Sequence, residues 1–154
     1  KVSKIVVGGK QRQDSVYEGL KAVQAADMIL VHDAVRPLIL VQKIDELIET
    51  CAKCRAAILA VQPKDTVKLQ DNDHYVSRSL DRTKLWNVQT PQAFEYALLW
   101  EAFQKAYAEK FYGTDEAMLV ERLNAKIKII PGDYNNIKIT SPEDWALAEW
   151  LLER

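Results

Sequence analysis

Met28-Ile-Leu-Val-His-Asp-Ala-Val-Arg-Pro37 opens on four consecutive apolar residues and then turns abruptly polar. Met28 to Val31 reads as a strand buried on both faces, of the kind found in parallel sheets. His32, Asp33, Arg36 and Pro37 follow at its carboxyl end, where open α/β sheets bind their ligands. A carboxylate and a guanidinium released there suit a ribose hydroxyl, a metal-bound phosphate or both. A loop salt bridge, with Pro37 opening the next helix, accounts for the same residues.

Strand signals flank this stretch on either side. Upstream, Lys4 to Val7 is a short apolar strand ended by Gly8-Gly9, and Arg12 to Ala25 places Val16, Leu20 and Val23 at helical spacing. Asp14 or Ser15 is positioned to cap that helix. Strand, Gly-Gly, helix favours a phosphate or nucleotide, because small residues let backbone N–H groups approach it; an ordinary turn has the same signature. Downstream, Val41 to Lys53 is a helix with Ile44, Leu47, Ile48 and Cys51 inward, and Ala56 to Val61 is another buried strand closed by Pro63. The order β-α-β-α-β predicts an α/β fold with parallel strands and right-handed crossovers.

The pattern then changes. Thr66-Val-Lys-Leu69 and Tyr75-Val-Ser-Arg-Ser-Leu80 flank the turn cluster Asp71-Asn-Asp73 and read as a β-hairpin inserted into the domain. A lone hairpin has little core of its own, so it either packs on a partner chain or remains a solvent-exposed flap. Leu85 to Val88 returns to the sheet. A helix is expected from about Ala93 to Glu109, with Phe94, Leu98, Ala102 and Lys105 marking its period, and another over Glu116 to Leu123. Thr114 and Asp115 are placed as its N-caps. Strands over Ile127 to Ile130 and Asn136 to Thr140 precede Ser141-Pro-Glu-Asp144, which combines an N-cap serine, proline at the first helical position and an acidic third position. The final helix carries Trp145, Leu147, Ala148, Leu151 and Leu152.

With 154 residues, 48% hydrophobic and 28% charged, the chain predicts one globular domain over residues 1–154 with a real core. A net charge of −1 does not point to nucleic acid or an anionic membrane as partner. No apolar run approaches the ~20 residues of a membrane span. Because the sequence starts at Lys1, almost directly on a strand, missing targeting signals carry no weight. Cys51 and Cys54 form a Cys-x-x-Cys inside a helical pattern. No second ligand pair follows for zinc, so both read as reduced helix cysteines in a cytosol-like compartment.

Taken in order, Gly8-Gly-Lys-Gln-Arg-Gln-Asp-Ser15, Val31-His-Asp-Ala-Val-Arg-Pro37, Leu80-Asp-Arg82, Leu85-Trp86, Gln89-Thr-Pro-Gln92, Thr114-Asp-Glu-Ala117 and Asn136-Ile-Lys-Ile-Thr140 form a series. It resembles the 2-C-methyl-D-erythritol 4-phosphate cytidylyltransferases, CTP-using enzymes of non-mevalonate isoprene biosynthesis. The ribitol-5-phosphate cytidylyltransferases share the His-Asp-x-x-Arg-Pro and Gln-Thr-Pro-Gln elements. Leu85-Trp86 and Thr114-Asp-Glu-Ala117 resemble the methylerythritol family, while Val35, usually Ala there, leans toward the ribitol one.

The resemblance implies a Rossmann-like nucleotidyltransferase domain with a mostly parallel sheet, and a β-hairpin arm at 64–84 that makes a homodimer. It also implies an N-terminal strand, Gly-rich loop and helix that wrap the CTP triphosphate. Among the five glycines here none forms such a loop, so the sequence reads as a fragment expected to be inactive alone. The implied chemistry is in-line attack by the acceptor phosphate on the α-phosphorus of CTP, with Mg²⁺ carried mainly by the nucleotide phosphates and no dedicated metal ligands in the chain. By position, Lys138 corresponds to the lysine that meets the α-phosphate. Asp33 lies near ribose and metal with Arg36 beside it, and Gly9 and Ser15 read cytosine. Thr66 and Arg82 on the arm hold the acceptor phosphate in the partner's site, Arg82 also acting in catalysis. Thr90 and Thr114 are further acceptor contacts. Lys138 as an exposed strand residue and Thr114 as a pure N-cap are the plain structural alternatives. The implied setting is cytoplasmic or plastid-like, with no nucleic-acid or membrane partner. A non-catalytic dimeric binding module on the same fold is the reading from another class.

Overall fold

Ala56–Val61 forms strand β2, and its small side chains let helices approach the sheet closely from both faces. We describe the chain from a computed structural model covering residues 2–23 and 25–153. Gln24, within the helix expected over Arg12 to Ala25, and Lys1 and Arg154, at the ends of the 1–154 domain, lie outside the described residues.

The main sheet has the order β1-β5-β2-β6, with β1 at Met28–Val31, β5 at Asn87–Glu95 and β6 at Lys128–Pro131. β2 pairs in parallel with β6, whereas β5 runs antiparallel to both β1 and β2. Three strands therefore share one direction, and the fourth is inserted against them. The α/β class holds, with a mixed rather than purely parallel hydrogen-bond pattern.

The side-chain period of two splits the core. Ala56, Ile58 and Phe94 face one side, where they meet α1 (Arg12–Ala22) through Leu20, α3 (Tyr96–Ala108) through Leu98, Leu99, Ala102, Phe103 and Ala106, and α4 (Glu116–Glu121) through Ala117, Leu119 and Val120. Ala57, Leu59 and Ala93 face the other side with Ile130, against Leu47 and Cys51 of α2 (Val41–Cys54). Ile48, expected inward, is 39% exposed.

Several expected boundaries move. Ala93 and Phe94 belong to β5, not to the helix that follows. Each is fully buried, on opposite faces, and that alternation outweighs the helical spacing Phe94 shares with Leu98. β1 is half-buried rather than buried on both faces, because it pairs only with β5 and its outer edge is open among the described residues. Lys4 to Val7 forms no strand: no described strand lies beside it, and Ile5 and Val7 are each 89% exposed. Residues 136–140 are likewise not a ladder strand. They are pinned by two contacts, Ile139 N–H to the Val35 carbonyl at 2.8 Å and Arg36 Nη1 to the Asn136 carbonyl at 2.7 Å. Helix α1 ends at Ala22, where Val23 turns extended, and its N-cap is Gln11, whose backbone N–H donates to Asp14. α5 (Pro142–Leu152) begins as expected, with Ser141 and Asp144 capping each other's N–H groups. It buries Ala148 but leaves Trp145, Leu147 and Leu152 largely exposed.

The hairpin forms as β3 (Lys68–Gln70) and β4 (Val76–Ser79), antiparallel and separate from the main sheet. Asp71 Oδ1 accepts from the Asp73 and Tyr75 N–H groups and closes its turn. Every residue of both strands is exposed. Its base is tied to the body: Tyr134 donates to the Gln62 carbonyl at 2.9 Å, and Lys64 Nζ lies 4.2 Å from the centre of the Tyr134 ring.

Because Phe94 is fully buried between β5 and the α3–α4 layer, Phe94→Ala should destabilise the fold by about 3–5 kcal/mol. Urea denaturation followed by circular dichroism measures this. A loss below about 1 kcal/mol would mean that Phe94 is not a core strand residue.

Candidate active site

Parallel-running β1 and β2 both end at the same edge of the sheet, and there the chain leaves β1 with His32 and Asp33. A cavity of about 220 Å³ opens at this edge, lined among others by Arg12, Asp33, Arg36, Thr90, Thr114 and Lys138. Residues from five separate stretches of the sequence thus converge. Asp33, Arg36, Thr90, Thr114 and Lys138, all expected from the sequence, come together as a group.

Asp33 is the centre of the group. Its Oδ2 lies 3.1 Å from Lys138 Nζ, and its Oδ1 lies 3.2 Å from Arg12 Nη2, so each oxygen has its own cation. Burial pushes the Asp33 carboxyl up, but Lys138 and Arg12 outweigh it and hold the group below its ordinary value. Arg36 Nε stands 4.0 Å from Oδ2, beyond hydrogen-bond reach, and is buried without a partner. Burial pushes the Arg36 guanidinium down, with Asp33 opposing. Through its bond to the Asn136 carbonyl, Arg36 holds the segment that presents Lys138.

Thr90 is delivered by an irregularity in β5. The register with β2 jumps from Ile58↔Gln92 to Ala60↔Val88, so Gln89-Thr90-Pro91 bulge out of the ladder. A central strand tolerates proline at such a bulge, where no ladder donor is needed. Thr90 Oγ1 accepts from the Asp33 N–H at 2.9 Å and lies 3.0 Å from His32 Nδ1. His32 Nε2 is 3.1 Å from the Arg36 carbonyl, which only accepts, so Nε2 carries the proton. In the neutral ring Nδ1 then accepts from the Thr90 hydroxyl. The hydroxyl is left one lone pair for a ligand.

Two flanking residues are the amides Gln89 and Gln92. Gln92, fully buried, donates to Asp115 Oδ2 at 2.8 Å and accepts from the Ala117 N–H, fixing the start of α4. Asp115 Oδ1 caps α4 by accepting from the Met118 N–H. Asp115, not Thr114, is therefore the cap, and Thr114 is left to line the cavity. Gln89 donates to the Asp133 carbonyl, and Gly132 leaves it room: a Cβ there would come within 2.3 Å of Gln89 Oε1 and displace that side chain.

Gly9 and Ser15 lie together but do not line this cavity. The Gly9 N–H donates to Ser15 Oγ at 3.1 Å, and a Cβ on Gly9 would meet Asp14 Cβ at 2.2 Å. Thr66 and Arg82 are also outside it. Both are exposed at the base of the hairpin, Arg82 in a 3₁₀ turn with Nη1 donating to the Lys64 carbonyl at 2.6 Å. Val35 lines a separate apolar groove with Ile139, Trp145 and Leu152, so its identity says nothing about a ligand of the Asp33 cavity. Cys51 is buried, with burial pushing its thiol up to about 11, and Cys54 is exposed; neither is paired.

Sequence reading did not single out Arg12 or Glu116. Glu116 is buried and takes Arg12 in a two-pronged ion pair, Nη1 to Oε1 at 2.7 Å and Nη2 to Oε2 at 3.0 Å. Both residues lie inside the quoted motifs, yet nothing in their spacing relates positions 104 apart. Among the described residues no group of three or more His, Cys, Asp or Glu side chains is placed to hold a metal, and none of the helices is long and apolar enough to cross a membrane.

The depressed Asp33 carboxyl has a definite pH consequence. Its pairing is fully present above the ordinary carboxylate pKa of about 4 and is lost as pH falls through the lower folded value. Asp33→Asn should therefore flatten the acid limb of the stability curve. Melting temperatures between about pH 2 and 6 test this, and an unchanged acid limb would show that Asp33 gains nothing from its neighbours.

Comparison with known proteins places this geometry. The profile of the IspD family, 2-C-methyl-D-erythritol 4-phosphate cytidylyltransferase, matches residues 1–154. The chain is 46% identical over 152 residues to the 2-C-methyl-D-erythritol 4-phosphate cytidylyltransferase of Geobacillus kaustophilus, covering 99% of this chain and 66% of that protein. It is 47% identical over 150 residues to the protein of the same name in Bacillus velezensis, covering 97% and 64%. The crystal structure of 4-diphosphocytidyl-2C-methyl-D-erythritol synthase from Anaerococcus prevotii superimposes with a TM-score of 0.91 at 39% identity, covering 97% of this chain and 69% of that one. For the Thermus thermophilus cytidylyltransferase the TM-score is 0.88 at 33% identity, with 97% and 72% covered. The chain thus spans about two thirds of the length of the relatives it matches. With a Rossmann-like nucleotidyltransferase sheet, a polar cavity at its strand ends and a match along all 154 residues, the chain belongs to the IspD family of 2-C-methyl-D-erythritol 4-phosphate cytidylyltransferases.

Proposed function

We propose that the protein transfers a cytidylyl group from CTP to 2-C-methyl-D-erythritol 4-phosphate and releases pyrophosphate. The observation that carries this reading is the meeting of Arg12, Arg36 and Lys138 about Asp33, in one cavity with Thr90 and Thr114. A dimeric binding module without catalysis has no use for a half-buried carboxylate ringed by cations beside two hydroxyls.

The reaction needs no covalent enzyme intermediate, because a phosphate monoester is already a nucleophilic anion. An acceptor phosphate oxygen attacks the α-phosphorus in line, and the bond to the pyrophosphate oxygen breaks. The chain's task is to orient two anions and to meet the charge that grows on the α-phosphoryl group. Lys138 is suited to that: its ammonium has three donors, one is directed at Asp33, and its side chain is 44% exposed. Thr90 and Thr114 supply hydroxyls for the acceptor. Gly9 and Ser15 form the cytosine subsite at the start of α1, outside the Asp33 cavity. Arg36 steadies the segment carrying Lys138 and lines the nucleotide side with Asp33.

Mg²⁺ bound to the nucleotide phosphates would neutralise part of their charge. The residues present fit that mode: Asp33 and Asp115 line the cavity with their oxygens already engaged by protein donors, and Mg²⁺ needs few carboxylates when phosphates and water supply the rest. The hairpin at 64–84 serves as the dimer arm, bringing Thr66 and Arg82 to the acceptor in the neighbouring subunit's site. Its exposed Leu69, Tyr75 and Val76 then find cover in the partner. The reduced cysteines fit a cytoplasmic or plastid-like compartment.

Steady-state assays of the full-length protein with CTP and either methylerythritol phosphate or ribitol phosphate test the acceptor. Preference for ribitol phosphate would overturn the assignment within the same chemistry. Lys138→Ala should lower kcat about 10²–10³-fold with a smaller change in KM for CTP, since the interaction strengthens as charge develops. Near-normal kcat would return Lys138 to an ordinary surface residue.

Arg82→Ala should weaken acceptor binding far more than CTP binding, and it should complement Lys138→Ala in trans. In an isologous dimer each mixed pair has one site with both wild-type residues, so random mixing restores roughly a quarter of wild-type activity. If subunits demonstrably exchange and activity stays at the level of the single variants, the arm does not act across the interface.

A further inference from the structure

We infer that Glu116 is a positioning residue of this site, setting the direction of Lys138 through Arg12 and Asp33. The inference rests on the functional reading above and adds to it a residue that touches neither the cavity nor any ligand.

The geometry is a chain of alternating charge. Glu116 binds Arg12 through both carboxylate oxygens, at 2.7 and 3.0 Å. Arg12 uses the rest of its fork on Asp33 Oδ1, with Nη2 at 3.2 Å and Nε at 3.4 Å. Asp33 Oδ2 is thereby left to Lys138 at 3.1 Å. The links come from two helices and two connecting segments: α4, α1, the segment after β1 and the segment after β6. A guanidinium is a rigid plane, so fixing one edge fixes the other. Asp33 cannot rotate about its Cβ–Cγ bond without leaving Arg12, and Lys138 follows Oδ2.

Burial makes the arrangement costly unless it serves positioning. Glu116 is 1% exposed, and burial pushes its carboxyl up while Arg12 opposes. Buried ion pairs often stabilise a fold no more than apolar side chains of the same volume. An apolar residue at 116 would let Arg12 swing entirely onto Asp33 or outward to solvent, where Arg12 is already 36% exposed. Both fork edges of Arg12 are occupied by carboxylates, so Arg12 acts here as a strut. The flanking residues follow the same logic: Asp115 is held by Gln92 and by the α4 N–H it caps, so the beginning of α4 is a fixed anchor for Glu116.

The test is a double-mutant cycle in the full protein. Glu116→Gln keeps the shape and removes the charge. It should lower kcat about tenfold while KM for CTP stays within about twofold, the cost of a misdirected catalytic group. In an Asp33→Asn background the same change should cost nothing further, because the link it acts through is already cut. Arg12→Lys, which keeps the charge but not the fork and is partly exposed, should reproduce the Glu116→Gln effect and decides the matter if Glu116→Gln fails to fold. Independent losses at Glu116 and Asp33, or wild-type kcat in Arg12→Lys, would overturn the inference. A second cycle on melting temperature needs no turnover: the double variant should melt within about 2 °C of the lower single variant. Additive melting losses also overturn the inference. Absence of cytidylyl transfer in the wild type, with the melting cycle still coupled, would instead overturn the functional reading alone.

Discussion

A carboxylate leaving a strand end, with a different cation on each oxygen, is the constraint to which the rest of this site is fitted. Asp33 is partly withdrawn from water, and burial alone would favour its protonated form. Arg12 and Lys138 reverse that preference and are themselves fixed by doing so. With Arg36 the site has three cations, and Asp33, Asp115 and Glu116 match them in formal charge. Attraction for an anion therefore does not come from net charge. It comes from direction: Glu116 lies off the cavity, and Asp115 at its wall spends its oxygens on Gln92 and the Met118 N–H, while Lys138 keeps donors toward the cavity.

Strand β5 makes that arrangement possible. It is antiparallel in a sheet whose other strands share one direction, and it is buried from Gln89 to Phe94. A regular strand would send Thr90 and Gln92 to one face and Gln89 to the other. The bulge at Gln89-Thr90-Pro91 breaks the alternation, so Thr90 reaches Asp33 while Gln89 reaches the loop after β6. Side-chain amides then do what a ladder cannot. Gln92 ties β5 to α4, and Asn136, fully buried, donates to the Thr90 carbonyl at 3.0 Å. The cavity is walled by irregular backbone whose polar groups are met by these side chains.

What was legible in the sequence follows the range of the physics involved. Met28–Val31, Ala56–Val61 and the Ser141 helix start were readable, because an apolar run and a capping box are local signals. The hairpin was readable for the same reason. Ala93 and Phe94 were misread because their helical spacing with Leu98 is real; only burial on two opposite faces shows that they are strand. Lys4 to Val7 looked like a strand from composition, but strand pairing is non-local and no described neighbour supplies it. At the cavity, Asp33 and Arg36 stand out where the apolar run of β1 turns polar, and Thr90, Thr114 and Lys138 only through motif resemblance. Arg12 and Glu116 escaped because an ion pair spanning 104 residues leaves no periodicity to read.

The arm and the cavity are mechanically linked as well. Tyr134 contacts Gln62 and Lys64 at the base of the arm, and it sits in the loop that leads from β6 to Lys138. That loop is held on its other side by Gln89 at Asp133 and by Arg36 at Asn136. Displacing the base of the arm would therefore load the same short segment that sets the height of Lys138. A Cβ on Gly132 would come within 2.3 Å of Gln89 Oε1, so the loop and the Gln89 side chain lie close together. The base of the arm and the wall of the cavity are thus two anchors of one loop.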